Sequence, residues 1–272
     1  MQYDPVKKSL GKVFNKSIRL RLFFYYLLDL LLLRSWYVRC ELKKWIKNAP
    51  ENSSVFDAGS GFGQYVWRLS KMSKNLRITG YDIKSEQIDD CKIFFKKMGL
   101  DKRVFFKQSD LTTINETELY DLILIIDVLE HIKEDELVLQ NLYKSLKKDG
   151  SLIISTPSDL CGSDNQEHSV AQNGFIDEHV RNGYNRQEIE EKMYNAGFNT
   201  IESRYTYGKP GNLAWKLSMK YPIIMLNISK LFFIFLPFYY LLTYPLSYIL
   251  NCIDLKMKHK EGTGMIVKGI KN

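Results

Sequence analysis

The chain has 272 residues, 45% of them apolar and 26% charged, and a formal net charge of +8. These proportions exclude wholesale disorder, a collagen-like repeat and a polytopic membrane bundle, and the length allows one large domain or two small ones. Four cysteines (Cys40, Cys91, Cys161 and Cys252) are scattered without a C-x-x-C pair or a Cys/His cluster, so they read as thiols in a reducing compartment, with neither a disulfide frame nor a metal site.

The charge is unevenly distributed. Residues 1–47 carry +8, residues 209–260 carry +6, and the remainder carries −6. An acidic body flanked by two segments that are both basic and very apolar points to an anionic membrane surface and away from nucleic acid.

At the N-terminus, Lys7, Lys8, Lys12, Lys16, Arg19 and Arg21 precede the apolar run Leu22–Leu33. Asp29 interrupts that run, and Arg34–Arg39 stands where a signal peptide would place small residues for cleavage. The run is also shorter than the ~20 residues needed to span a bilayer. It reads as an amphipathic or core-capping helix continuing through Glu41–Lys47.

From Ser54 strands and helices alternate. Strands are predicted at Val55–Ala58, Arg77–Tyr81, Arg103–Lys107, Leu119–Ile126, Ser151–Ser155 and Asn199–Tyr207, with a last strand at Gly264–Lys268. Helices are predicted at Gln64–Ser73, Gln87–Met98, Glu134–Leu146 and Gln187–Ala196, the last stopped by Gly197; Lys148-Asp-Gly150 reads as a turn. The strands around Ile123–Ile126 and Leu152–Ile154 are apolar throughout, as a parallel sheet buried on both faces requires. The expected fold is α/β, a Rossmann-like doubly wound sheet with its ligand at the carboxyl ends of the strands. Glu116–Glu118 and Glu134–Glu136 read as solvated helix starts.

The segment Val55-Phe-Asp-Ala-Gly-Ser-Gly-Phe-Gly63 carries the chemistry. Its glycines let the backbone turn sharply and approach a ligand, and the helix that follows offers free N–H groups. Gln64 stands where a dinucleotide fingerprint wants a third small residue, and Asp57 is a poor neighbour for pyrophosphate but a good one for a cationic ligand. Asp82, ending the second strand, suits two ribose hydroxyls.

With Tyr81-Asp82, Gln108-Ser-Asp110-Leu111, Tyr120–His131 and Leu146–Pro157 following in order, the chain resembles class I S-adenosylmethionine-dependent methyltransferases, within them the type 11, ubiquinone-pathway-like group. The resemblance covers roughly Ser54–Tyr207 plus the final strand. It implies a seven-stranded sheet and S-adenosylmethionine as cofactor. Gly59, Gly61 and Gly63 would wrap the methionine and ribose, with Asp57 near the amino group and Asp82 on the ribose. Ile83 would lie against the adenine, Asp110 would accept from its amino group and Leu111 would pack on the ring. Asp127 and Val128 would border the methionine, while Asp121 would serve the fold. A proton acceptor would come from His168 or His179 in the loop Ser158–Tyr184, or from His131; His259 reads as a surface residue among lysines. No metal is implied.

Between the last two strands, Leu231–Ile253 has no charged side chain. The resemblance implies that those strands form an antiparallel pair at the sheet edge, so that both ends of the insertion lie on the same side of any membrane. A single spanning helix is therefore excluded. A re-entrant hairpin breaking at Pro237 or Pro245, or helices lying in the interface, is expected, with a dry cap or a dimer seam as the alternative. The domain reading is 1–47 as basic apolar helices, 48–208 plus 261–272 as the methyltransferase core, and 209–260 as a hydrophobic helical insertion. The function expected is methylation of a lipophilic small molecule (quinone, polyene, aryl lipid or isoprenoid) by a cytoplasmic protein held peripherally on anionic lipid at the inner face of the membrane, with no nucleic-acid partner. A catalytically inactive membrane partner subunit of the same fold is the alternative.

Overall fold

Val55, Ile78, Leu122 and Leu152, one on each of four strands, are wholly shielded from solvent, as the apolar runs require. The computed structural model describes residues 17–162, 180–229 and 231–272. In chain order it contains α1 (Ile18–Leu31), α2 (Leu33–Asn48), β1 (Ser54–Ala58), α3 (Gln64–Met72), β2 (Arg77–Asp82), α4 (Ser85–Lys97), β3 (Val104–Gln108) and β4 (Tyr120–Ile126). After these come α5 (Asp135–Ser145), β5 (Leu146–Pro157), α6 (Arg186–Asn195), β6 (Thr200–Thr206), α7 (Lys209–Trp215), α8 (Tyr221–Ile228), α9 (Phe232–Lys256) and β7 (Gly264–Ile270).

The seven strands form one sheet in the order β3-β2-β1-β4-β5-β7-β6, as expected of the Rossmann-like class. Strands β1 to β5 are parallel, and β7 runs antiparallel to both of its neighbours. One face packs on α1 to α4 through Tyr25, Trp36, Leu42, Leu69 and Phe95; the other packs on α5 and α6 through Leu139, Leu142, Ile189 and Met193.

The register at the β7 edge decides where the insertion emerges. Gly264 pairs with Thr206 at the end of β6 and with Pro157 at the carboxyl end of β5. The insertion therefore leaves and re-enters at the carboxyl edge of the parallel strands, the edge at which doubly wound sheets bind ligands.

Several elements depart from expectation for local reasons. The N-terminal helix is two helices, broken at Leu32, whose backbone is extended. The predicted turn at Lys148–Gly150 is an irregularity inside β5, where the register shifts and Asp149 takes φ +62°. Neither Pro237 nor Pro245 breaks α9, which runs through both; Thr243 and Ser247 donate back to the carbonyls of Tyr239 and Thr243. The reversal falls after Ile228, where Ser229 is extended and its Oγ accepts from the Leu231 N–H. Lys216–Lys220 is a π-helical turn whose carbonyls at Leu217 and Ser218 accept from Tyr239 and Tyr240 of α9.

The acidic clusters are only in part solvated helix starts: Glu134 and Glu136 are exposed at the start of α5 and Glu118 is exposed, but one residue of each cluster turns inward. Glu116 accepts from the hydroxyls of Tyr81 and Tyr120, and Asp135 is buried among Tyr184, Arg181 and Lys192. His259 is no surface residue either: its side chain is 5% exposed and its Nε2 lies 3.1 Å from Asp254. Asp254 is itself fully buried and accepts from Tyr37 Oη at 2.7 Å and from the Gly211 N–H at 2.9 Å. This one carboxylate joins α2, both arms of the insertion and the turn into β7.

Asp254→Ala takes the acceptor from the Gly211 N–H, leaves Tyr37 Oη and His259 Nε2 with only the backbone carbonyl of residue 254, and is expected to lower unfolding free energy by about 1–3 kcal/mol in a denaturant titration. An unchanged midpoint would show that the insertion is held by packing alone.

Candidate functional site

The strand order reverses between β1 and β4, and the loop leaving β1 crosses that switch point. Gly59, Gly61 and Gly63 hold φ values of +82°, +49° and +75°. At Gly59 a Cβ would stand 2.3 Å from Val128 Cγ2, so the loops after β1 and β4 touch there with no room for a side chain. The loop turns back over β2, with the Gly59 and Ser60 N–H groups donating to the Tyr81 carbonyl.

Two carboxylates face this loop. Asp82, the last residue of β2, accepts from the Gly61 N–H through Oδ2 and from the Lys84 N–H through Oδ1, both at 2.9 Å. Each oxygen keeps a further lone pair. Asp57 is buried, and its Oδ2 has no hydrogen-bond partner among the described residues. Burial, with a smaller contribution from the Asp82 charge, pushes its carboxyl up to about 7. Ser60 Oγ is likewise buried and unpartnered. A buried carboxylate oxygen beside a cramped glycine loop fits a ligand that brings a cationic hydrogen-bond donor.

The other predicted positions come to the same edge. Ile83 follows Asp82 and is half exposed, while its carbonyl accepts from Gln108 Nε2 at the end of β3. Leu111 is buried, and Asp110 uses Oδ1 to cap a turn, accepting from Thr112 N and Oγ1. Asp127 and Val128 follow β4. Asp127 takes φ +51°, held by its N–H donating to Ser155 O. His131 ends the short 3₁₀ turn Leu129–His131 beyond them. Asp121 accepts from the Ser54 N–H and pairs with Lys147, a fold role as expected. His168 and His179 lie outside the described residues. Among the described residues no group of three metal-ligating side chains occurs.

Sequence reasoning missed the cover that α1 and α2 place over the loop. Arg34 pairs with Asp127, and its N–H donates to Tyr207 Oη at 2.8 Å. Arg21 is 3% exposed and donates to the Phe62 carbonyl at 2.9 Å and the Asp90 carbonyl at 3.1 Å, joined on Phe62 by Tyr25 Oη. Gln64 Nε2 donates to Asp29 Oδ1 and Ser35 Oγ, and Arg68 pairs with Asp29. The available signal was Asp29 itself, because a carboxylate inside an apolar helix requires a partner.

A glycine loop at the switch point, with acidic residues near the ends of β1 and β2 and an antiparallel β7, defines the α/β class that binds a nucleoside-linked cation. The family model for the methyltransferase domain matches residues 50–203, more than half of the chain. The chain belongs to this methyltransferase-domain family, whose dependence is on S-adenosylmethionine. Among curated proteins it is 28% identical over 111 residues to a ubiquinone biosynthesis O-methyltransferase of Rickettsia conorii, covering 41% of this chain and 37% of that protein. It is 30% identical over 104 residues to an (S)-coclaurine N-methyltransferase of Thalictrum flavum, covering 38% and 28%. The matched region thus spans about a third of the length of these relatives. Phosphoethanolamine N-methyltransferase 2 of Haemonchus contortus, solved with S-adenosyl-L-methionine, superposes with TM-score 0.57 at 17% identity over 84% of this chain and 51% of that one. A methyltransferase of Thermotoga maritima covers 96% and 100% with TM-score 0.56 at 14% identity. At these identities the two structures show the shared fold.

Gly59→Ala forces a Cβ into Val128 at a positive φ and is expected to cost about 1–3 kcal/mol, read as a lowered chemical-denaturation midpoint. Val128→Ala in the same chain should recover part of that loss. Absence of any recovery would mean that backbone strain alone sets the cost.

Proposed function

We propose that the protein transfers the methyl group of S-adenosylmethionine to a lipophilic small molecule while held peripherally on the cytoplasmic face of a membrane. The observation that carries the donor half is the unpartnered, buried Asp57 carboxylate beside the three positive-φ glycines. Asp57 receives the donor's ammonium, the loop wraps its methionine and ribose, and Asp82 accepts from the ribose hydroxyls. Ile83 and Leu111 sandwich the adenine, and Asp110 turns its second oxygen to the exocyclic amine. Val128 walls the methionine, and Arg34, released from Asp127, takes its carboxylate.

S-adenosylmethionine supplies a methyl on a neutral thioether leaving group, so no residue has to activate the donor. The chain aligns the acceptor with the methyl and excludes water, the work of α1 and α2 over the loop. A phenolic acceptor also needs a base, for which His168 or His179 is proposed and His131 is the alternative. Replacing the true base with Ala lowers turnover about 10²–10⁴-fold at unchanged donor affinity.

The lipophilic half rests on the insertion. α9 is long and apolar enough to cross a membrane by length and composition, and little of it is buried. Its solvent side carries Ile234, Phe238, Leu241, Leu242, Leu246 and Ile249 in one stripe, while Ser247, Asn251 and Asp254 face the protein. Both ends return to the carboxyl edge of the sheet, so the stripe and the donor loop share that edge. Quinone, polyene, aryl-lipid and isoprenoid acceptors all suit such a mouth, and the ubiquinone biosynthesis O-methyltransferases among the relatives support the first.

Two measurements test the proposal. Calorimetry is expected to show S-adenosylmethionine binding that weakens as pH falls below about 7, by up to tenfold per unit, because Asp57 takes up a proton and the ammonium loses its partner. In the empty protein the same raised carboxyl has the opposite sign for stability, which declines as pH rises through that range, since the unfolded chain gives up the proton first. Asp57→Asn removes the acid limb, and Asp82→Ala weakens binding by roughly 1–3 kcal/mol. Labelled methyl donor incubated with protein and a membrane lipid extract should yield a labelled lipid. Donor binding with no labelled lipid from any fraction would favour the inactive partner subunit.

A further inference from the structure

The N-terminal helices touch the donor loop, the base of the insertion and solvent at once. On α1, Arg21 and Tyr25 grip the Phe62 carbonyl, and the Arg21 guanidinium also stacks on Phe94 at 4.6 Å. No carboxylate pairs with Arg21 among the described residues, so a buried cation is satisfied only by carbonyls, a tyrosine and the Cys91 thiol. One turn of α2 carries Arg34 to Asp127 at the pocket and Tyr37 to Asp254 at the root of α9.

The outer face of α1 is apolar and exposed at Leu20, Phe23 and Tyr26. It comes close to one flank of α9, beside the stripe: Trp36 of α2 meets Tyr248 edge-on at 5.1 Å, and the Tyr244 hydroxyl, pushed up to about 12 chiefly by burial, also feels Tyr26. Arg19 on α1 and Lys216, Lys220 and Lys256 on the two arms of the insertion supply positive charge in the same elements, matching anionic lipid. In water, α1 therefore holds the donor loop on one side while leaving large apolar side chains in solvent on the other, and it joins α2 through a non-helical residue, Leu32.

We propose that an anionic lipid surface is a positive effector of donor binding, transmitted by α1 and α2 with Arg21 and Tyr37 as the positioning residues. The inference rests on the membrane reading above. Lipid favours the arrangement in which the outer faces of α1 and α9 lie together, and that is the arrangement in which Arg21 fixes the Phe62 carbonyl and shapes the glycine loop. Two ligands that favour one arrangement strengthen each other by equal factors.

The test uses the full chain, S-adenosylmethionine, and vesicles of phosphatidylcholine with or without one quarter phosphatidylglycerol. Flotation reads docking, and calorimetry reads donor Kd. Expected are flotation with the anionic vesicles, a donor Kd lower by at least about fivefold in their presence, and vesicle partitioning raised by the same factor at saturating donor. Tyr37→Phe, which removes only the hydroxyl that binds Asp254, should still float with the vesicles and lose most of the gain in Kd. Arg21→Met, checked by circular dichroism, should do the same from a weaker starting affinity. Flotation with an unchanged Kd overturns the coupling and leaves membrane docking standing. Failure to float overturns both. A full gain in both variants overturns the assigned route.

Discussion

The placement of β7 between β5 and β6 is the constraint on which the rest of the molecule depends. Because β7 runs antiparallel and begins at Gly264 beside Thr206 and Pro157, whatever joins β6 to β7 must leave and return at the carboxyl edge of the parallel strands. That edge also carries the glycine loop, Asp82 and Asp127. A long apolar hairpin is thereby forced to be a neighbour of the ligand site, and it cannot be a spanning element with one end on each side of a bilayer. Asp254 then fixes its direction, since a fully buried carboxylate tolerates only an arrangement in which Tyr37, Gly211 and His259 all reach it.

Two buried groups of opposite charge flank the glycine loop, and neither has a counterion among the described residues. Asp57 lies on the pocket side, its carboxyl raised toward neutrality by burial. Arg21 lies on the outer side, dispersed over carbonyls and aromatic rings. The asymmetry has a chemical sense. On the proposed reading the inner charge is left for the donor's cation, whereas the outer one is committed to backbone carbonyls of the loop and its neighbour. An uncompensated carboxylate at that depth costs stability in the empty protein, a feature of sites whose partner arrives as substrate.

The core of the fold was legible because its signals are local. Val55–Gly63, Asp82, Asp110–Leu111 and Asp127–Val128 each sit at the end of a strand whose apolar run announces itself, and the sheet brings those ends to one edge. What escaped was long-range pairing. Arg21 and Arg34 were counted as basic charge facing lipid, when both turn inward to the donor loop and to Asp127. Asp135, Glu116 and His259 were read as solvated because single charged residues carry no mark of their distant partners Tyr184, Tyr81 and Asp254. Pro237 and Pro245 misled for a related reason. Each proline removes only one rung of the helical ladder, at the carbonyls of Phe233 and Leu241, and α9 is held across both by distant partners that the rule does not count: Tyr239 and Tyr240 on Leu217 and Ser218, and Asp254 on Gly211.

The persistence of α9 through two prolines bears on how the hairpin meets its surroundings. An unbroken helix of 25 residues keeps its apolar side chains in phase, so that Ile234, Phe238, Leu241, Leu242, Leu246 and Ile249 stay on one face from tip to root. A break at either proline would have rotated the outer half and scattered the stripe. The opposite face is polar enough to bind protein, through Tyr239, Tyr240, Ser247 and Asp254, so the helix cannot roll over to hide its apolar side. Among the described residues nothing covers the apolar face. On the membrane reading proposed above, a bilayer surface covers it, and the lysines at both flanks of the insertion together with the exposed apolar face of α1 support that reading over a second copy with its acidic body.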